Sequence, residues 1–288
     1  MRWPVALAPL LTLLASACSP ATVLNVLAPS RGVVEHRDIA YLPGPRHRLD
    51  VYAPAPGTGA AEHPVVVFFY GGGWEDGDRG LYRFVGAELA AHGIVAVIAD
   101  YRLYPEVVFP AFMQDAAQAV AWARGHAAEF GGDRDRLFLM GHSAGAQIAT
   151  LLAFDGEYLD AAGVDPRTIR GVIGLAGPYD FLPLKTAALK AIFGPEAAWP
   201  RSQPIAYVEP GAPATLLLAG SADDTVDPGN TLRLAAKLRA AGDEVKATIY
   251  PSVGHTTLIG AFARAASFLA PTRRDVLDFI ARQAAGSG

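Results

Sequence analysis

One recurring pair constrains this chain more than anything else in it. A short run of apolar, largely β-branched residues is followed by a longer stretch with apolar residues every three or four positions. Val65–Tyr70 (VVVFFY), Ile94–Ala99 (IVAVIA), Arg136–Met140 (RLFLM), Ile169–Ala176 (IRGVIGLA), Thr215–Ala219 (TLLLA) and Val245–Tyr250 supply the runs. The first two carry no charged residue on either face, and a strand reads that way when both faces are covered. His47–Ala53 alternates like an early strand. Leu81–His92, Ala111–Phe130, Ala144–Phe154, Asn230–Ala241 and Arg273–Ala284 read as helices. Strand–helix–strand repetition with doubly buried strands predicts an α/β domain whose mostly parallel sheet is flanked by helices.

The rhythm breaks at Gly177–Pro213. That stretch holds seven prolines and a helical segment at Thr186–Phe193, with no strand pattern. It reads as a small insertion between two core strands, either a lid or pocket wall or an inert loop. Its aromatics Tyr179, Phe181, Phe193 and Trp199 argue against disorder.

Charged residues make up only 18% of the chain and hydrophobic ones 51%, so the apolar surplus must lie in a core or a membrane. Part of it lies at the N-terminus. Arg2 precedes the run Val5–Leu14, which is too short to span a bilayer and has the length of a signal-peptide apolar region. Ala15-Ser16-Ala17 follows, directly before Cys18. Ala-x-Ala is an export cleavage pattern. Small residues before the lone Cys also resemble a bacterial lipobox, in which that Cys is lipidated; ordinary secretion and an incidental free Cys are the alternatives. Residues 1–17 are expected to be a removable leader, 18–46 an N-terminal segment, and 47–288 one domain, exported to the cell envelope. No later apolar run reaches 18 residues, so the membrane is expected to matter only through an anchor at Cys18. A single Cys excludes an internal disulfide and a Cys-rich zinc site. The net charge of −4 comes with no Lys/Arg run, which argues against nucleic acid. No metal or cofactor is implied.

The chemistry concentrates at Gly141-His142-Ser143-Ala144-Gly145. This is G-x-S-x-G set between a strand pattern and a helix pattern, the context in which a serine can be held on a turn too tight for flanking side chains. A serine hydroxyl is a weak nucleophile and needs a base, and the base needs an orienting carboxylate. Of the seven histidines, only His255 follows the strand pattern at Thr215–Ala219, in Ser252-Val253-Gly254-His255. His36, His47 and His63 read as surface residues, and the side chain of His142 is committed by the turn. After that strand, Asp223, Asp224 and Asp227 offer three carboxylates, of which Asp224 and Asp227 could instead cap the next helix. Gly71-Gly72-Gly73-Trp74 follows Val65–Tyr70, and glycines let backbone N–H groups turn inward toward a developing oxyanion. A phosphate loop is disfavoured, because neither Gly-Lys-Ser/Thr nor G-x-G-x-x-G is present.

Taken together with Tyr101-Arg102-Leu103-Tyr104-Pro105-Glu106, Phe109-Pro110-Ala111 and Asp115, these motifs resemble the α/β-hydrolases of the carboxylesterase and hormone-sensitive-lipase-like group. The resemblance implies a serine hydrolase of small carboxylic esters. It implies Ser143 as nucleophile, His255 as base and Asp223 as the acid, with an oxyanion hole from the N–H groups of Gly72, Gly73 and Ala144, and Trp74 as a further candidate. The Tyr101–Asp115 segment is read as scaffold. Where this group usually has His before the glycines, this chain has Tyr70, which brings it nearer to isoprenylcysteine methylesterase-like and kynurenine formamidase-like relatives. An arylformamidase-like amide hydrolase on the same triad, and a non-catalytic binding module on the same fold, are the competing expectations.

Overall fold

The computed structural model describes residues 19–57 and 62–285. Residues 1–17, read above as a leader, and Cys18 lie outside the described residues. Among those described, eight strands form one sheet: β1 (Val33–Ala40), β2 (Arg48–Pro54), β3 (His63–Phe69), β4 (Val95–Ala99), β5 (Gly132–His142), β6 (Ile169–Leu175), β7 (Ala214–Gly220) and β8 (Val245–Tyr250). Their order is β1-β2-β4-β3-β5-β6-β7-β8. β2 pairs antiparallel with β1 and β4, and every pairing from β4 onward is parallel. Val65–Phe69, Leu137–Met140 and Leu216–Leu218 are fully buried. This is the doubly covered sheet that the apolar runs require.

The helices are α1 (Pro20–Leu27), α2 (Arg83–Ala91), α3 (Ala111–His126), α4 (Ala144–Phe154), α5 (Glu157–Ala161), α6 (Ala187–Phe193), α7 (Gly229–Ala241), α8 (His255–Gly260) and α9 (Thr272–Ala285). α2 packs on β2 and β4, α3 and α4 on β3 and β5, α7 on β7 and β8, and α9 on β6 and β7. The insertion Gly177–Pro213 holds no strand, and its helix α6 is capped by the Thr186 hydroxyl, which accepts from the Leu189 amide at 3.1 Å.

Two elements depart from the sequence reading. The segment 18–46, set apart there, contributes α1 and the edge strand β1. β1 (VVEHRDIA) has one partner, an irregular register between His36 and Ile39, and charged side chains in solvent. Edge strands tolerate such residues, so no apolar alternation announces them. His47 is not a surface residue. Its ring is largely covered, with Nε2 3.1 Å from Oδ1 of Asp115. Asp115 also takes two side-chain bonds, at 2.8 and 2.7 Å, from Arg102. The Tyr101–Asp115 segment is thus tied to the start of β2, consistent with its reading as scaffold.

Candidate active site

Ser143 stands between β5 and α4 with φ 55° and ψ −123°. A non-glycine residue in this region is strained by about 1–3 kcal/mol, and the cost is borne where surrounding structure over-determines it. The determinants here are the flanking glycines. A Cβ on Gly145 would lie 2.0 Å from the Phe69 carbonyl oxygen, and one on Gly141 would lie 2.0 Å from the Gly145 oxygen. The Ser143 amide donates to the Leu175 carbonyl at 2.9 Å, which locks the turn to β6. Backbone packs directly on backbone here, so no side chain fits.

Asp223 and His255 arrive from the ends of β7 and β8. Their loops are stitched together by Ala222 N–H to Val253 O at 3.0 Å and Ser221 N–H to Tyr250 O at 2.9 Å. His255 Nδ1 sits 2.8 Å from Asp223 Oδ2. The other carboxylate oxygen accepts from the amides of Thr225 and Val226 at 3.0 and 2.9 Å. The carboxylate is therefore fixed in orientation, and the ring presents Nε2 as its free nitrogen. Among the three candidate acids, only Asp223 meets the imidazole. Asp224 is exposed, and Asp227 accepts the Gly229 amide at the start of α7, which holds its carboxyl below the usual range. The Ser143 hydroxyl makes no hydrogen bond among the described residues; such bonds often close only around substrate.

His142 is buried behind this pair. Its ring lies 4.7 Å from that of His255, and Nε2 is 3.3 Å from the His255 carbonyl oxygen, to which it can donate. Burial, and then the neighbouring His255, push its imidazole down to about 3. It is a neutral spacer, in keeping with its committed place in the turn.

The glycine loop is anchored from beneath by Tyr70. The ring is fully buried and stacks on Tyr82 and Tyr101, and its hydroxyl donates to Asp100 Oδ1 at 2.9 Å while accepting from Arg46 at 2.7 Å. Arg79 pairs with Asp100 and Asp50 behind it. Above this anchor Gly72 has φ 139° and a virtual Cβ 2.0 Å from the Asp76 oxygen, so no side chain is accommodated. The amides of Gly72, Gly73, Trp74 and Ala144 donate to no carbonyl among the described residues. They are spare donors close to the serine, where a Cβ on Gly71 would lie 2.8 Å from the Ser143 Cβ.

A cleft of about 510 Å³ opens over Ser143. Gly73, Trp74 and Ala144 line one part of it, and Phe181, Leu182 and Leu189 of the insertion line another. Trp74 stacks on Phe181 at 5.9 Å. Gly177–Pro213 is therefore a wall of this cleft and not an inert loop. Its aromatics divide: Phe181 faces the cleft, whereas Phe193 and Trp199 are buried in the core. Sequence reasoning missed Gln147, Asp100, Arg46 and Arg79. Asp100 carried a signal, since it ends a parallel strand where such sheets place their functional groups.

The family model BD-FAE matches residues 49–238, about two thirds of the chain. The chain belongs to the BD-FAE family. This BD-FAE chain is 28% identical over 243 residues to the isoprenylcysteine alpha-carbonyl methylesterase ICME of Arabidopsis thaliana, covering 77% of the chain and 56% of that relative. It is 29% identical to esterase LipC of Mycobacterium tuberculosis, covering 78% and 60%. The chain spans about half the length of the curated relatives it matches. Among solved structures, esterase B from Lactobacillus rhamnosis superposes with a TM-score of 0.74 at 21% identity over 95% of this chain and 94% of that one. A truncated carbohydrate esterase from gut microbiota gives 0.75 at 20% identity, over 89% and 99%. At such identities the likeness establishes the α/β-hydrolase fold. The methylesterase relative agrees with the leaning read from Tyr70.

Proposed function

We propose that this BD-FAE member is a serine hydrolase that cleaves small carboxylic esters through an acyl-enzyme. The observation that carries the reading is the 2.8 Å Asp223–His255 bond, with the His255 ring against His142, next to a serine held at φ 55° that lines a cleft. Ser143 Oγ attacks the acyl carbon, and its proton passes to Nε2 of His255. Asp223 holds Nδ1–H, which fixes the tautomer and steadies the imidazolium. The oxyanion is received by the amides of Gly72, Gly73 and Ala144, with Trp74 as the further donor. Collapse expels the alcohol, which takes the proton from Nε2. Water, deprotonated by the same nitrogen, then releases the acid. The names of the relatives, ICME and LipC, support ester over amide.

Replacing Ser143 with Ala is expected to lower kcat on p-nitrophenyl esters by about 10⁶, leaving only what oxyanion and cleft supply, and to abolish labelling by a fluorophosphonate probe. Unchanged turnover would sink the mechanism; a wild-type protein that neither labels nor turns over would favour the binding-module alternative.

We also propose that the chain is exported, and that Cys18 is lipidated after removal of residues 1–17. The charged, apolar and small-residue order from Arg2 to Ala17 supports this. Mass analysis of the mature N-terminus tests it: an added diacylglycerol is expected, and an unmodified Cys18 would refute the anchor.

A further inference from the structure

Gln147 lies one turn after Ser143 on α4, is fully buried, and takes no part in the proposed chemistry. Its side chain bridges Trp74, which lines the cleft, and the buried Ser202 turn of the insertion behind it. The Trp74 indole Nε1–H donates to Gln147 Oε1 at 3.1 Å, and Gln147 Nε2 donates to the Ser202 carbonyl at 2.9 Å. The amide orientation has no alternative, because an indole N–H can only donate and a carbonyl can only accept. The chain of contacts then returns to its start. The Ser202 hydroxyl accepts from Gln203 at 2.8 Å, Gln203 Oε1 accepts from the Phe181 amide at 2.8 Å, and the Phe181 ring stacks on Trp74. The polar groups of Trp74, Gln147, Ser202 and Gln203 are buried and the Phe181 amide is half-buried, so a broken link among the first four leaves a desolvated donor or acceptor without a partner. Trp74 itself is held at φ 62°. Its place therefore depends on being tied, and Gln147 is the tie.

We propose that Gln147 is a positioning residue that sets the width of the acyl subsite. It fixes the Trp74–Phe181 wall relative to Ser143 and so limits the acyl chain that fits. The inference rests on the serine-hydrolase reading. It goes beyond that reading in naming what selects the acyl group.

The test is a p-nitrophenyl series from acetate to octanoate, with kcat and KM measured separately for wild type and Gln147→Met. Met keeps the approximate volume and removes both hydrogen bonds. The ratio of kcat/KM for octanoate to that for acetate is expected to rise about fivefold or more, the scale of a few methylenes gaining or losing a pocket. The change should appear in KM for the long esters, with acetate kcat and fluorophosphonate labelling retained. Because the ratio is taken within one preparation, a partly unfolded sample does not alter it. If Gln147→Met does not fold, Gln147→Glu, which keeps the bond from Trp74 and loses the donor to Ser202, is to shift the ratio in the same direction. A double-mutant cycle with Trp74→Phe should be non-additive, since both changes cut one link. An unchanged ratio, a uniform fall at every chain length, or additivity in the cycle would overturn the proposal. A wild type inactive on all esters would instead overturn the hydrolase reading beneath it.

Discussion

The two sides of the cleft are held by different physics. On the Ser143 side, Gly141, Ser143 and Gly145 are fixed by main chain packed on main chain, with virtual Cβ contacts of 2.0 Å at both glycines. Asp223 and His255 are delivered by adjacent parallel strands whose loops bond to each other. On the wall side, Trp74, Phe181 and the insertion are held by side chains: stacked rings, the Gln147 amide, and Asn230, whose Oδ1 accepts from the amides of Tyr179 and Asp180 at 2.9 and 2.8 Å. Backbone sterics admit almost no variation. Side-chain ties can be exchanged for others of similar reach. The chemistry is therefore expected to be brittle and the selectivity adjustable.

Asp223→Asn gives the largest expected effect on this contrast. The carboxamide keeps the geometry but presents the wrong donor pattern to Nδ1, and kcat should fall by about 10⁴. Asp224→Asn, one residue along and pointing to solvent, should stay within about twofold of wild type. Steady-state kinetics of the two variants settles the assignment; a large loss in Asp224→Asn would move the acid. Next comes Gly145→Ala. Its Cβ would fall 2.0 Å from the Phe69 oxygen and 2.6 Å from the Tyr70 oxygen, both main chain and unable to swing away. The cost should reach or exceed the upper end of the about 1–3 kcal/mol typical of overpacking, read as a lower urea midpoint with the slope unchanged. A neutral Gly145→Ala would mean that the Ser143 side is as adjustable as the wall.

The same division explains what could be read from the sequence. G-x-S-x-G, the glycine loop and the order Ser143, Asp223, His255 are local signals, because local backbone geometry is what they serve. The buried strands were legible for a similar reason: Val65–Phe69 has no polar face to present to solvent. The partners of those signals were not legible. Gln147 looks like an ordinary helix residue until Trp74, 73 positions earlier, and Ser202, 55 positions later, are brought beside it. Tyr70 was recognised as a departure, but its function as an anchor depends on Arg46 and Asp100, which no short-range pattern connects to it. Among Asp223, Asp224 and Asp227, spacing alone left the choice open, and the hydrogen bond to His255 separates them.

His142 joins the two sides, and it makes the smallest effect per step the most diagnostic. Its ring touches His255, while Nδ1 lies 3.1 Å from where a Cβ on Gly71 would stand, at the root of the glycine loop. Burial and the neighbouring His255 hold it neutral, down to about 3 against 6.5 for a free side chain. The folded state thus refuses a proton that the unfolded chain accepts between those two values. Stability from this group is complete above about pH 6.5 and drains away as pH falls toward 3, by about 1.4 kcal/mol per unit once the unfolded imidazole is charged. Between pH 5.5 and 4, urea unfolding of wild type should therefore lose about 1.4 kcal/mol per unit more than unfolding of His142→Asn. Carboxylates common to both proteins cancel in that difference. Equal slopes would mean that water or a relaxed backbone lets the imidazole charge in place. In that case the junction between serine turn and glycine loop would share the adjustability of the wall.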